Sequence, residues 1–328
     1  MTRTKELTAG NRQSMRIGYS QAFELVKEEV NKILRSSPLV VREYMRHLAL
    51  TTGKFIRAAS VLTCALDSED LIHRDAVRLA SAVELLHLAT LVHDDIIDEA
   101  ETRRGQLSLQ RKYGKRTAVI CGDYLLCVAL KTAAGVEGKD EYIKLSIPDY
   151  ISRVCLGELS QHINNGNFDL SVYQYLKIIA GKTAALFEAC FHGGAVLSAG
   201  DEAAVRKYVK LGRYIGMIFQ LTDDCMDYES TQQEAKKPVR ADFTQNVITL
   251  PLIHAFREDE GLKERARSGG ATSVEIVEAV RKSGGLNYTR LLAKRYYNKA
   301  MRIIEELELT PFKREMLLSL LNKSYRII

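Results

Sequence analysis

S-A-V-E-L-L-H-L-A-T-L-V-H-D-D-I-I-D, residues 81–98, is the stretch that decides the fold class. It is apolar on more than one face at helical spacing and then ends in three aspartates. A helix that is apolar around most of its surface belongs in the middle of a helical bundle. The same spacing recurs almost everywhere along the chain, and no sustained period-two run predicts a strand. The sequence therefore predicts an all-α fold, a large helical bundle around a central cavity.

The pattern predicts a series of helices that covers most of the chain. They are placed near 18–35, 39–51, 55–66, 71–100, 115–135, 139–165, 171–199, 201–229, 246–258, 272–283, 286–307 and 310–325. The chain has 328 residues with 5 Pro, and no Gly/Ser-rich or Pro-rich stretch marks a linker. We therefore expect one domain over residues 1–328.

Composition excludes several classes of protein. With 46% apolar and 27% charged residues, the chain is neither disordered nor fibrous. A net charge of +6 without a clustered basic face gives no reason to expect nucleic acid. No apolar stretch reaches the about 18 to 20 residues of a membrane span, and Met1–Arg16 does not resemble a secretory signal. Six cysteines without a C-x-x-C pair are expected to be buried thiols, so the sequence predicts a cytoplasmic protein without a transmembrane segment.

One acidic motif occurs twice. D-D-x-x-D is found at residues 94–98 and again at 223–227, each time on the C-terminal part of a mostly apolar helix. At about 100° per residue, its three carboxylates crowd within little more than one turn. Divalent cations with oxygen ligands relieve that repulsion, and Mg²⁺ is typically held by one or two carboxylates together with substrate phosphates. A single copy could equally be a solvated helix end, but two copies favour a metal–diphosphate site.

Basic residues follow both motifs, as a diphosphate requires: Arg103 and Arg104 after the first, Lys236 and Lys237 after the second.

A further basic cluster precedes the first motif. Lys54 and Arg57 are three residues apart at a predicted helix start, where they share a face and could bind an anion. His87 lies seven residues before Asp94, two turns along the same face. Taken alone, the two cations could be solvated and the histidine could be a core residue.

Several motifs occur together in a fixed order. They are G-K-x-x-R at 53–57, E-L-L-H-L-A-T-L-V-H-D-D-I-I-D-E-A-E-T-R-R-G at 84–105, G-D-Y-L-L at 122–126, G-E-L-S-Q at 157–161, K-T at 182–183, G-M-I-F-Q-L-T-D-D-C-M-D at 216–227 and K-P-V-R-A-D-F-T-Q-N-V-I-T-L-P at 237–251. In this order the chain resembles the trans-isoprenyl (polyprenyl) diphosphate synthase family. The resemblance is specific and covers about residues 50–255.

The resemblance implies the isoprenoid synthase fold and a role for each matching residue. Isopentenyl diphosphate would bind to Gly53, Lys54, Arg57, His87 and Arg104. Mg²⁺, three ions with substrate bound, would be held by the catalytic aspartates Asp94, Asp95, Asp98, Asp223, Asp224 and Asp227. The allylic diphosphate would be faced by Arg103, Lys182 (also catalytic), Thr183, Gln220 and Lys237. The implied reaction joins the two diphosphates through an allylic cation and makes an all-trans polyprenyl diphosphate for a quinone side chain.

The chain departs from the family pattern at a few positions. Phe55 and Ala58 replace the usual basic residue and proline, and residues 105–108 replace Gly-x-Pro-Thr. Asn246 and Val247 stand where Gly-Lys is usual, so one allylic-site lysine is missing. The resemblance is closest to the catalytic chains of hexaprenyl and heptaprenyl diphosphate synthases, which also lack a basic residue there and share V-C-L-G-E at 154–158.

Product length is expected to depend on Ala89 and Thr90, the fifth and fourth residues before Asp94. Both are small, whereas family members that stop at farnesyl diphosphate commonly have a large residue here. We therefore expect elongation to a medium or long chain, although Ala89 could simply pack against a neighbouring helix.

Three other functions are alternatives to a long-chain polyprenyl diphosphate synthase. A farnesyl or geranylgeranyl diphosphate synthase would keep the site but make a shorter product. A terpene cyclase would need no isopentenyl site, and a regulatory subunit would need no intact aspartates. A homodimer is the family expectation, and a small regulatory subunit remains open.

Overall fold

Helices dominate the computed structural model, which describes residues 16–50, 53–137, 146–198, 201–229 and 246–326. The α-helices in chain order are α1 (Tyr19–Arg35), α2 (Leu39–Ala49), α3 (Ile56–Cys64), α4 (Arg74–Ile97), α5 (Leu109–Tyr113), α6 (Lys115–Ala133), α7 (Ile147–Ile163), α8 (Val172–Ile179), α9 (Ala185–Ser198), α10 (Glu202–Glu229), α11 (Leu250–Glu258), α12 (Glu260–Arg267), α13 (Ser273–Lys282), α14 (Gly285–Glu306) and α15 (Pro311–Tyr325). A π-helical turn, Ala180–Ala184, joins α8 to α9. The prediction of an all-α fold is confirmed.

Two short antiparallel strand pairs accompany the helices. β1 (Arg16–Gly18) pairs with β2 (Leu71–His73), and β3 (Thr102–Arg103) pairs with β4 (Gln106–Leu107). The helix predicted over 71–100 therefore begins only at Arg74, because the three residues before it pair as a strand. The helix predicted over 171–199 is helical from Val172 to Ser198, but a π-helical turn, which was not predicted, interrupts its α-helical pattern at the centre.

Other boundaries differ by a few residues. The helix predicted from residue 246 begins at Leu250, and the short helices α5 and α12 are not predicted. The first residues of the helix predicted over 139–165 lie outside the described residues, and the described part begins at Ile147.

Contacts along the chain divide it into two compact units, each built from separate segments. Unit 1 comprises Met1–Ser146, Cys190–Tyr208 and Glu308–Leu317; unit 2 comprises Ile147–Ala189, Val209–Leu307 and Leu318–Ile328.

In unit 1, α4 is the central helix, and α1, α3 and α6 pack against it. α1 shows why these helices form, because Ala22, Val26, Val30 and Leu34 are buried at four-residue spacing while the residues between them are exposed or half-buried. The first turn of α15 is fixed by Lys313, whose Nζ donates to the carbonyl oxygens of Cys64 at 2.9 Å and Leu66 at 2.5 Å. A cation there stabilises the negative end of α3.

In unit 2, the core joins α8 and the π-helical turn to α10, α11, α12, α13 and α14. Both Tyr175 on α8 and Tyr228 on α10 are buried in this core. The core holds the C-terminal half of α10, which carries the second aspartate motif.

By length and composition alone, helix α4 could cross a membrane. No helix of this kind is expected from the sequence. More than half of the apolar window of α4, 56%, is buried inside the structure. Such burial is typical of the core helix of a soluble protein.

The expectation of buried cysteines is only partly correct. Cys127 and Cys155 are exposed, whereas the other four are buried. All six are free thiols.

Candidate active site

In unit 1, a group of predicted site residues begins where the chain enters α3. Phe55, at the N-cap of α3, has a left-handed backbone with φ 52°, and no cap hydrogen bond comes from its own side chain. The missing cap is supplied from α4, because Glu84 Oε1 accepts a hydrogen bond from the backbone N–H of Ala58 at 2.9 Å. Helix starts need such acceptors. Glu84 thereby fixes α3, and with it Lys54 and Arg57, against α4.

Arg57 and His87 meet directly. The Arg57 guanidinium donates to His87 Nε2 at 2.9 Å. An arginine has only donors, so Nε2 is the unprotonated nitrogen and Nδ1 carries the proton. Burial, followed by the positive charge of Arg57, holds the pKa of His87 well below its usual value. The histidine is therefore a neutral hydrogen-bond donor beside a cation.

Arg104 completes this group. It lies with Gly105 in the two-residue turn between β3 and β4, and both residues have positive φ, as a type I′ hairpin requires. Its guanidinium occupies the space beside Gly53, where an added Cβ would come within 2.7 Å of Nη1. Burial raises the pKa of Glu84, and the neighbouring Arg57 and Arg104 oppose that rise. The structure thus brings Gly53, Arg57, His87 and Arg104 together, as predicted, around a carboxylate that was not predicted.

The first aspartate motif lies at the C-terminal end of the same helix. Asp98 is the C-cap of α4, and its N–H donates to the carbonyl oxygen of Asp94 at 2.8 Å. Asp98 is exposed, whereas Asp95 is only 5% exposed. Arg103 Nε donates to Asp95 Oδ1 at 2.8 Å. The predicted diphosphate ligand Arg103 therefore contacts the predicted metal ligand Asp95.

The two predicted chain-length positions differ in exposure. Ala89 is 1% exposed, whereas Thr90 is partly exposed. The Thr90 hydroxyl donates to the carbonyl oxygen of His87 at 2.9 Å, back into the helix. Of the two, Thr90 is the side chain more accessible to a neighbouring molecule.

In unit 2, a second group of predicted site residues is built on the π-helical turn that carries Lys182 and Thr183. Such turns occur often at functional sites. Gly157 of α7 lies directly against this turn, because an added Cβ would stand 2.1 Å from the backbone N of Lys182. Lys182 Nζ forms an ion pair with Glu158 at 2.9 Å. The close approach of α7 thus sets the position of the lysine.

A chain of hydrogen bonds runs from this turn to the second aspartate motif on α10. Thr183 Oγ1 donates to Gln220 Oε1 at 2.6 Å, and Gln220 Nε2 donates to Asp224 Oδ1 at 2.7 Å. The Tyr175 hydroxyl donates to the other oxygen, Asp224 Oδ2. Burial raises the pKa of Asp224 to about 7, and these two hydrogen bonds act against the rise. The structure thus links Thr183 and Gln220, predicted for the allylic diphosphate, to Asp224, predicted for the metal.

The remaining aspartates of the second motif are more open. Asp223 is exposed and contacts the guanidinium of Arg326, beyond the end of α15, through Oδ1. Asp227 is partly exposed on the same helix, one turn after Asp223.

The donor atoms fit Mg²⁺. Within the described ranges no group of three or more His, Cys, Asp or Glu side chains is preassembled for a metal. Asp95 instead faces Arg103, and Asp224 faces Tyr175 and Gln220. Mg²⁺ does not need a preformed cage, because one or two carboxylates, water and substrate phosphates complete its shell.

Two predictions concern the segment after α10. Lys237 lies outside the described residues. Asn246 has φ 60°, and its carbonyl oxygen accepts the N–H of Gly166 at 2.7 Å. Asparagine tolerates this left-handed conformation better than most residues, so it can replace the usual glycine without a change of backbone. Only the missing lysine at Val247 remains as a chemical difference.

Comparison with known proteins identifies the family of this chain. Residues 38–282 match the polyprenyl synthetase family, and the chain belongs to that family. It is a prenyltransferase with the isoprenoid synthase fold.

The chain is similar to individual prenyl diphosphate synthases in sequence and in structure. Heptaprenyl diphosphate synthase component 2 of Geobacillus stearothermophilus is 32% identical over 296 residues, which cover 88% of this chain and 90% of the relative. The crystal structure of heptaprenyl diphosphate synthase from Staphylococcus aureus superposes with a TM-score of 0.87 at 31% identity, over 94% of this chain and 98% of the other. Polyprenyl synthase from Caulobacter crescentus, complexed with calcium and isoprenyl diphosphate, gives a TM-score of 0.80 at 28% identity, over 93% of each chain.

Four residues of the site are not predicted from the sequence. Glu84 stands three residues before His87, so their shared helix face was a usable signal. Glu158 lies within the G-E-L-S-Q motif at 157–161, but the motif alone does not indicate a role for it. Tyr175 and Arg326 carry no local signal, because only the folded chain brings them to Asp224 and Asp223.

Proposed function

We propose that this protein condenses isopentenyl diphosphate with an allylic diphosphate, using Mg²⁺, to make a medium-to-long all-trans polyprenyl diphosphate for a quinone side chain. One observation carries the proposal: a preorganised cationic group is held against Glu84 and His87 of α4, and two turns later the same helix carries an aspartate motif. A terpene cyclase needs the second feature but not the first.

The cationic group of unit 1 suits a diphosphate. Arg57 and Arg104 supply fixed charge, and Lys54 at the entry to α3 is exposed. His87 donates through Nδ1–H because Arg57 occupies Nε2. These four residues and the Gly53 backbone bind isopentenyl diphosphate, with Glu84 holding them in place.

The aspartates bind the metal. Asp94, Asp95 and Asp98 in unit 1, and Asp223, Asp224 and Asp227 in unit 2, supply hard oxygen donors. Mg²⁺, when bound, neutralises the allylic diphosphate and assists its departure. Arg103, Lys182 and Lys237 are the cations proposed to donate to the allylic diphosphate, and Thr183 and Gln220 are the neutral residues proposed to face it.

The reaction follows from these placements. The allylic C–O bond breaks as the cations stabilise the departing diphosphate. The isopentenyl double bond then attacks the allylic carbon, and a new C–C bond forms. This attack leaves a cation on the isopentenyl unit. A proton then leaves the carbon next to that cation and is taken by the released diphosphate, and the electron pair of the broken C–H bond forms the new double bond.

The assembly we propose is a cytoplasmic homodimer. In unit 1, α6 buries Ala118, Cys121 and Leu125 and leaves Val119 and Ile120 41% and 57% exposed. Apolar side chains on the outer face of a helix are typical of an interface. A second, small subunit is also proposed, because the relative from Geobacillus stearothermophilus is named component 2 of its synthase.

Two substitutions test the reaction. Asp94→Ala and Asp223→Ala should each abolish turnover while helix content by circular dichroism stays unchanged, since both side chains lie at a helix surface. Glu202→Ala, at the exposed start of α10, is the matched control and should keep its activity. Activity within threefold of wild type in either aspartate variant, or product formation in excess EDTA, would overturn the metal assignment.

Two further measurements test product and assembly. Dephosphorylated products separated by chain length should lie beyond farnesol; a product no longer than farnesol would contradict the long-chain proposal. Native mass spectrometry should show a dimer that Ile120→Glu dissociates. A monomeric wild-type protein would contradict the homodimer, and full activity of the pure chain would remove the need for a small subunit.

A further inference from the structure

Tyr175 is a buried tyrosine whose hydroxyl contacts a carboxylate of the second aspartate motif. It is 2% exposed, lies in the core of unit 2, and donates to Asp224 Oδ2. Asp224 is itself 3% exposed. A phenylalanine would fill the same apolar space, so packing alone does not explain the hydroxyl.

The two oxygens of Asp224 are held by different elements. Tyr175 on α8 donates to one oxygen, and Gln220 on α10 itself donates to the other at 2.7 Å. Gln220 lies one turn before Asp224 on the same helix, and among the described residues it reaches another element only through the Thr183 hydroxyl that donates to it. Tyr175 bonds the carboxylate directly from a different helix.

From this geometry we infer that Tyr175 is a positioning residue that orients the Asp224 carboxylate toward the metal ion of the second aspartate motif. The inference rests on the proposed function, which makes Asp224 a metal ligand. An ionised carboxylate has about four lone-pair positions, so one hydrogen bond on each oxygen leaves others for the metal. Partners that hydrogen-bond a ligating carboxylate typically contribute about 10- to 100-fold to metal affinity.

The experiment measures metal binding directly. Mn²⁺ is titrated into the full-length chain in the presence of inorganic diphosphate, and the bound ion is measured by electron paramagnetic resonance. The amount of bound Mn²⁺ is expressed per mole of folded protein, and the folded fraction is measured by circular dichroism. Tyr175→Phe removes one oxygen atom and keeps the ring. The matched control is Tyr228→Phe, because Tyr228 is 4% exposed in the same core and its hydroxyl pairs with Thr249 Oγ1 at 3.0 Å.

We expect Tyr175→Phe to weaken Mn²⁺ binding about tenfold, and Tyr228→Phe to leave it within threefold of wild type. The Mg²⁺ concentration for half-maximal activity should rise in parallel, with turnover recovering at high Mg²⁺. A merely structural role would lower turnover at every Mg²⁺ concentration without moving that midpoint.

The remaining outcomes separate the inference from the proposed function. A change smaller than threefold in Tyr175→Phe, or an equal change in the Tyr228→Phe control, would overturn the role of Tyr175. Asp224→Ala is included because it tests the metal ligand itself. Wild-type Mn²⁺ binding in Asp224→Ala would overturn the metal assignment of Asp224, and the inference with it.

Discussion

Gly157→Ala is the substitution for which the structure gives the sharpest expectation. Gly157 lies where α7 crosses the π-helical turn that carries Lys182. A methyl group at this position would stand 2.1 Å from the backbone N of Lys182 and 2.5 Å from the carbonyl carbon of Gly181. Both contacts are with backbone, so no side chain can rotate away to relieve them.

The size of the effect follows from these distances. Non-bonded heavy atoms are comfortable at about 3.5 Å, so α7 and the turn must separate by more than about 1 Å. Overpacking of this kind costs about 1 to 3 kcal/mol, since a close-packed interior transmits the strain. The displaced atom belongs to Lys182, which the proposed function places at the allylic diphosphate, and a misplacement of about 1 Å near the chemistry can cost about 100-fold in rate. Turnover should therefore fall more than stability does.

Thermal unfolding and steady-state kinetics check both parts. At about 2 to 4 °C per kcal/mol for a large domain, the melting temperature should drop by at least about 2 °C. Gly18→Ala is the control, because Gly18 has φ −71° and an added methyl group there meets nothing within 4 Å. A Gly157→Ala enzyme with an unchanged melting temperature and a turnover within threefold of wild type would refute the reasoning.

Three further predictions concern unit 1. Lys54→Ala and Arg57→Ala should raise the KM for isopentenyl diphosphate by about tenfold or more, since each removes a charge-assisted hydrogen bond of about 1.5 to 3 kcal/mol; an equal rise for the allylic substrate would show that the group is misassigned. His87 has a folded-state pKa below its unfolded value of about 6.5, so its contribution to stability is present above that pH and is lost as the pH falls. His87→Gln should accordingly lose less stability than wild type between pH 7.5 and 5.5 in thermal melts, and parallel losses would contradict the assignment. Ala89→Tyr or Thr90→Phe should shorten the products with activity kept, as seen by separating dephosphorylated prenols; unchanged lengths in both active variants would place the length limit elsewhere.

Much of unit 1 could be predicted because its signals are local. Asp94 and Asp98 are one turn apart on a helix whose apolar residues predict that helix, so their common placement follows from periodicity alone. His87 and Asp94 are two turns apart for the same reason. The structure places all three on α4 or at its end. What the sequence could not give is the start of α4, because Leu71–His73 pairs with a strand more than fifty residues earlier.

The interruption of the helix predicted over 171–199 has a non-local origin. The residues of Ala180–Ala184 have no composition that would end a helix, and the pattern runs on through them. The turn coincides with the crossing of α7, where Gly157 approaches Gly181 within van der Waals contact. Both glycines are visible in the sequence, but nothing in either stretch indicates that they meet.

The same limit applies to the partners of charged groups. Glu84 caps a helix that begins 28 residues earlier, and Tyr175 reaches a carboxylate 49 residues later. Sequence patterns identify residues that need a partner, such as a buried aspartate, but the partner itself is chosen by the fold. The motifs were therefore predictable, whereas the residues that orient them were not.

Charge compensation within the protein explains how so many ionic groups are tolerated without a ligand. The ion pairs are Asp95 with Arg103, Asp223 with Arg326, and Lys182 with Glu158. A metal ion that bound one of these aspartates alone would leave the charge of the paired arginine uncompensated. A diphosphate that bound the arginine alone would leave the charge of the aspartate uncompensated. Removing one partner of a buried pair is costly, and Asp95 is buried. Under the proposed function, a cation and a diphosphate arriving together would exchange both partners at once, so this arrangement would favour the metal–diphosphate complex over either component.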